Sequence, residues 1–284
     1  MGWWILQLPF YAWKHRKDKN TRENYAAFVR KCAEEPAVAE RIESGRQAGA
    51  YPEGPDGGWR YRFQRLPRHD YLRETYGLEA IAGQGSTFER ALSVMDWLTA
   101  HSWYCGMSFA PLPDNSKAIL RYIYDKPFKR AINCRHKTIA FADCLLAVGI
   151  AALPVCIINE GYCHMVVHVW LPEERRWVLL DPSFDSYITD EAGRALHLFE
   201  IHDCRRRGEA LRVAQYSFNG TQDFRQEYLE AFVLCCLLEI TVYNGTGSKR
   251  SDPRNCLMPE GMPRKKKKLR AISVAELLAV PKMM

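Results

Sequence analysis

Positions 133 to 185 constrain the chain most. They read NCRHKTIAFADCLLAVGI, then AALPVCIINEGY, then CHMVVHVWL and RWVLLDPSFD. In the first segment Phe141, Cys144, Leu145 and Val148 recur at helical spacing, and Gly149 can end the helix. Ala151 to Ile158 is apolar and strand-like, and Asn159-Glu160-Gly161 is a turn. Cys163 to Leu171 then alternates, with Met165, Val167, Val169 and Leu171 on one face and His164, Val166, His168 and Trp170 on the other. The polar turn from Pro172 to Arg175 leads to a second strand from Arg176 to Asp181, closed by Pro182. A helix, a strand and a hairpin thus follow one another.

The rest of the chain frames this core. It has 284 residues, of which 47% are hydrophobic and 12% aromatic, so a large buried core is affordable and disorder over most of the length is excluded. The formal charge of +7 is too mild and too dispersed to call for nucleic acid. Asn20 to Ser44 reads as helical, with Pro36 starting a second helix. Gly45 to Gly58 is dense in Gly and Pro and reads as a linker. Ser86 and Glu89 form a capping box for a helix carrying Phe88, Leu92, Met95 and Leu98 and ending near His101. A short helix is expected around Ala118 to Tyr124, and Ala231 to Leu238 reads as a buried element. The expected division is an N-terminal helical extension and linker over 1–58, a core over 59–220 and a C-terminal extension over 221–284.

Two runs invite other readings. Trp3 to Trp13 is apolar, but it falls short of the roughly 20 residues a spanning helix needs and Pro9 interrupts it. It reads as a packed core element, with peripheral membrane contact as the sharper alternative. Arg264 to Arg270 (RKKKKLR) reads as a solvated loop. The ten cysteines include no C-x-x-C pair, so no metal site is expected and no cofactor is called for. With no secretory pattern around the N-terminal run, the expected compartment is the reducing cytoplasm.

Cys134 opens the helix, where unpaired N–H groups and the helix dipole favour a thiolate. If Leu171 and Arg176 flank the turn, His164 lies opposite residue 183, and Asp181 is its diagonal neighbour. A nucleophile, a base and a group to orient the base are thereby available. His168 shares the face of His164 and is the rival base. His136 sits near the helix start and is read as making a local polar contact. Cys144 and Cys156 fall in apolar runs, and Cys163 points away from His164. The competing reading is a set of core cysteines and surface histidines.

These segments resemble the transglutaminase-like superfamily, in which a Cys opens a helix ending in L-x-x-x-G-I, a His opens a strand and an Asp-Pro closes the next. They resemble most closely the bacterial transglutaminase-like domain proteins, with NCR at Asn133 to Arg135, CH at Cys163 to His164, DPSF-x-x-Y at Asp181 to Tyr187 and DE-x-G at Asp190 to Gly193. The resemblance runs from about Ser86 to Val213. It implies a papain-like α+β core, the nucleophile-bearing helix packed on an antiparallel sheet, with Cys134 as nucleophile, His164 as base and Asp181 as the orienting group. It also implies thioester chemistry on a peptide or protein amide, with the Trp103 indole as a candidate oxyanion donor. Val166 stands where the family often carries an aromatic side chain, which favours hydrolysis over glutamine crosslinking. The alternatives are a protein-glutamine acyltransferase on the same triad and a catalytically idle peptide-binding domain.

Overall fold

Pro36 places the start of the first described helix, because its missing N–H and fixed φ suit a helix's first turn. In the computed structural model that helix, α1, spans Pro36–Gln47. The structure describes residues 30, 32–106, 112–124, 130–216, 224–247, 255–260, 262 and 269–284. The apolar run from Trp3 to Trp13, the helix start at Asn20 and positions 264–268 of the basic run lie outside these residues.

Four helices lead to the core helix. They are α2 (Pro67–Tyr76), α3 (Leu78–Ala82), α4 (Thr87–His101) and α5 (Ser116–Tyr124). The Ser86 hydroxyl accepts the Glu89 N–H and the Glu89 carboxylate accepts the Ser86 N–H, the reciprocal cap read from the sequence. The core helix α6 covers Cys134–Ala147, capped by the Asn133 side chain, which accepts the His136 N–H at 3.0 Å. Gly149 follows its end with φ of 79°, a left-handed conformation that glycine adopts without steric cost.

The principal sheet has eight strands in the order β11-β10-β9-β4-β5-β6-β7-β8. At its centre β4 (Ala152–Asn159), β5 (Tyr162–Leu171) and β6 (Arg176–Asp181) form an antiparallel meander. Leu171 pairs with Arg176 and Val167 with Leu180, the register anticipated from the turn. β7 (Ser186–Thr189) and β8 (Arg212–Ala214) continue one side, and β9 (Glu239–Val242), β10 (Asn255–Leu257) and β11 (Arg270–Ala271) the other. The β10–β11 pair is parallel. A separate parallel ladder joins β2 (Ser102–Tyr104) to β3 (Arg130–Ile132), and β1 (Arg62–Phe63) pairs with β12 (Lys282–Met283). The architecture is α+β, with the Cys134 helix packed on a mainly antiparallel sheet.

Two cores sandwich that sheet. One unites Phe141 and Leu145 of α6 with Leu98 of α4, Ile119 of α5, and Val167 and Val178. The other lies under Val166, Trp170 and Leu179 and is closed by α7 (Leu198–Arg207) and by the segment from α8 (Arg225–Tyr228) through the π-helical turn Leu229–Leu234. The apolar stretch from Ala231 to Leu238 is accordingly buried.

The Gly45 to Gly58 stretch differs from a free linker. Helix α1 continues through Gly45, where an added Cβ would come within 2.3 Å of the Arg205 guanidinium. Arg205 is itself buried, donating to the Leu234 and Leu237 carbonyls at 2.8 and 2.9 Å. Glycine is needed there for close approach, so it does not mark a boundary. Further on, Tyr51 is buried and its hydroxyl donates to the Leu238 carbonyl at 2.8 Å. The stretch is a strap bonded to the C-terminal segment.

Candidate active site

The hairpin register decides what His164 touches. Its Nε2 donates to Asp181 Oδ2 at 2.7 Å, and both side chains are fully buried. The same oxygen accepts the Tyr228 hydroxyl at 2.9 Å, and Oδ1 accepts the Ser183 N–H at 2.8 Å. The Asp-Pro-Ser turn thus folds back on its own carboxylate, and α8 supplies a donor from a segment distant in sequence. A buried carboxylate with three donors is held both in place and in orientation.

The other ring nitrogen of His164, Nδ1, is buried without a closed hydrogen bond, and the Cys134 thiol is the group that interacts with the ring beyond Asp181. Burial opposes charge on the imidazole, but the Asp181 carboxylate and then Cys134 outweigh it and raise His164 to about 10. The ring therefore keeps its proton at neutral pH. Three aromatic rings wall it: Tyr104, Phe184 and Phe232, with centroids 6.2, 5.9 and 5.7 Å away. This wall lowers the local dielectric and strengthens the His164–Asp181 pair.

Cys134 itself is half-buried at the first position of α6. The first N–H groups of a helix have no intrahelical acceptor, so donors lie beside the thiol. Arg135 next to it forms a forked ion pair with Asp114, which ties the preceding loop to the helix start. Deeper in α6, Asp143 accepts from Arg68 Nε at 2.7 Å and Ser116 Oγ at 2.6 Å and pairs with His69 at 3.1 Å. Despite its burial these partners hold its carboxyl below the usual range. A cavity of about 350 Å³ is lined by Arg135, Ile139 and Leu146 along one side of the helix.

Trp103 lies on β2 opposite Ala131, and the ladder continues with the Cys105 N–H donating to the Ile132 carbonyl at 2.9 Å. This brings the indole to the strand that runs into Asn133 and Cys134. Its Nε1–H is buried and unpaired. His168 is occupied elsewhere: its Nε2 accepts the Leu198 N–H at 3.3 Å, and burial, with His197 nearby, lowers it to about 3. His136 is buried and bonded to the backbone at Leu112, with its pKa lowered chiefly by burial. Val166 is fully buried in the second core. Tyr228 and Phe232 were not singled out in the sequence, because QEYLEAFVL carries no signal beyond apolarity.

Residues 74–182 match the model of the transglutaminase-like superfamily. Over that stretch, well under half of the chain, the protein is similar to the transglutaminase-like superfamily. The matched stretch begins in α2 and ends one residue past Asp181, so it takes in Cys134 and His164 as well. No curated protein matches the chain. A solved structure titled "Crystal structure of a TGase" aligns with 62% of this chain at 15% identity and a TM-score of 0.26. The aligned region spans 37% of that protein, little more than a third of its length. Among the described residues there is no helix long and apolar enough to cross a membrane, and no group of three or more His, Cys, Asp or Glu side chains that could hold a metal ion.

Proposed function

We propose that the protein is a cysteine-dependent amide hydrolase working through a thioester on Cys134. The observation that carries this reading is the His164 Nε2 to Asp181 Oδ2 bond of 2.7 Å, with the thiol of Cys134 on the ring's other side. Cys134 attacks the amide carbonyl of a peptide or protein. His164, still protonated at neutral pH, donates to the departing amine, and the then-neutral ring takes a proton from the water that cleaves the thioester. Asp181 holds the tautomer and stabilises the imidazolium. The N–H groups at the start of α6 and the unpaired Trp103 indole are suited to receive the oxyanion.

Hydrolysis is favoured over acyl transfer because Cys134 is only half-buried, whereas a transferase must keep water from its thioester. The free state of the ten cysteines fits a reducing compartment such as the cytoplasm. The test is competition. A glutamine-containing acyl donor is supplied with a primary amine in excess, and free acid and amine adduct are both quantified. Free acid as the main product, lost in Cys134→Ala, is the expected result. Predominant adduct at amine levels far below that of water makes the protein an acyltransferase. No reaction, together with slow alkylation of Cys134, makes it a binding domain.

A further inference from the structure

A second pair of thiols lies on the meander. The β4–β5 ladder pairs Cys156 with Met165 and Ile158 with Cys163, so Cys156 and Cys163 share a face as diagonal neighbours. The Cys156 side chain interacts with the Cys163 thiol. Cys163 is exposed and Cys156 half-buried, which gives one sulfur that small reagents reach and a second directly behind it. Cys235 and Cys236, by contrast, are buried.

We propose that Cys163 is a peroxide-reactive thiol and Cys156 its resolving partner, so that a disulfide forms across β4 and β5. Cys163 attacks the peroxide: an S–O bond forms, the O–O bond breaks, and the departing hydroxide takes a proton to become water. Cys156 then attacks the sulfenic sulfur: an S–S bond forms, the S–O bond breaks, and hydroxide leaves with the Cys156 proton as a second water. Two thiols lose two electrons and the peroxide gains them. The hydrogen bond from Cys156 assists the first step by lowering Cys163 to about 6 against the burial of its surroundings, with His164 adding to the effect. Diagonal Cα atoms stand about 7–8 Å apart, whereas a relaxed disulfide wants about 5.5–6 Å. Closing the bond therefore requires a local backbone shift along β4 and β5, and its strain makes it easy to reduce, as in reversible regulatory disulfides.

The experiment uses the full reduced chain carrying Cys134→Ala, which removes the competing thiol and makes the result independent of the proposed hydrolase activity. It is treated with hydrogen peroxide, quenched with N-ethylmaleimide, digested and analysed by mass spectrometry. A peptide joined through Cys156 and Cys163, and released by dithiothreitol, is the expected product. In Cys156→Ala, which removes both the donor and the resolving thiol, Cys163 oxidises about tenfold more slowly at neutral pH and stops as a sulfenic acid that dimedone captures. Recovery of Cys163 as a free thiol at peroxide doses that oxidise Cys134 in the unsubstituted protein overturns the proposal. So does oxidation of Cys163 without a bond to Cys156, a result that needs no variant at that pair.

Discussion

At the scale of single residues, Asp181 is the hub, because three donors converge on it and one of them is the ring that faces Cys134. Replacing Tyr228 by Phe removes one donor from a buried carboxylate. A cost of about 1.5–3 kcal/mol is expected, read as a lower urea midpoint with an unchanged slope, together with reduced turnover. Asp181→Asn should keep a folded chain with the thiol present but turnover down about a thousandfold or more. The His164 titration, followed by NMR, should fall from about 10, since burial is then opposed chiefly by Cys134 alone. His164→Ala should abolish turnover. His168→Ala should chiefly lower stability, because its ring is a buried acceptor for the Leu198 N–H. Equal loss of turnover in two folded variants would remove His164 from its role. Cys144→Ala, deep in the core of α6, should cost about 1 kcal/mol of stability and leave turnover intact.

At the scale of elements, what was legible in the sequence was local. Ser86 and Glu89 announced α4, Asn133 and Gly149 bracketed α6, and the alternation from Cys163 to Leu171 fixed which side chains share a face with His164. The Leu171–Arg176 turn then placed Asp181 beside His164. What was not legible depended on long-range packing. Gly45 read as a break because the Arg205 side chain that requires it lies far off in the chain. Tyr228 carried no motif because its partner, Asp181, is 47 positions away. The α6 anchor is of the same kind, since Asp143 gathers groups from α2 and α5. Asp143→Ala should leave Arg68 and His69 without their buried acceptor and destabilise by roughly 3–5 kcal/mol, measured by chemical denaturation. Gly45→Ala should lower the midpoint as well, since Arg205 cannot yield without breaking its bonds to Leu234 and Leu237.

At the scale of the whole molecule, buried histidines set the pH range of stability. Burial holds His168 at about 3 and His197 and His202 at about 4. In the unfolded chain each takes up a proton near pH 6.5. The unfolded state therefore binds more protons below that pH, and stability should fall as the solution is acidified from about 6.5 toward 4. His164 acts in the opposite sense. Its raised value contributes stability that is complete below about 6.5 and is lost as pH rises toward 10. Thermal melts across this range should show a maximum near neutrality. Asp181→Asn should flatten the alkaline side alone, and an unchanged alkaline limb would mean that His164 is not charged in the folded state.

The distance in sequence between Cys134 and Tyr228 has a consequence in time. A ribosome making about 5–20 residues per second delivers the second on the order of 5–20 s after the first. During that interval the nascent chain exposes a thiol whose base has no fully held carboxylate behind it, and the aromatic wall still lacks Phe232. The chemistry proposed for this site is therefore withheld from the chain's own neighbours on the polysome until the segment that closes around His164 has been made.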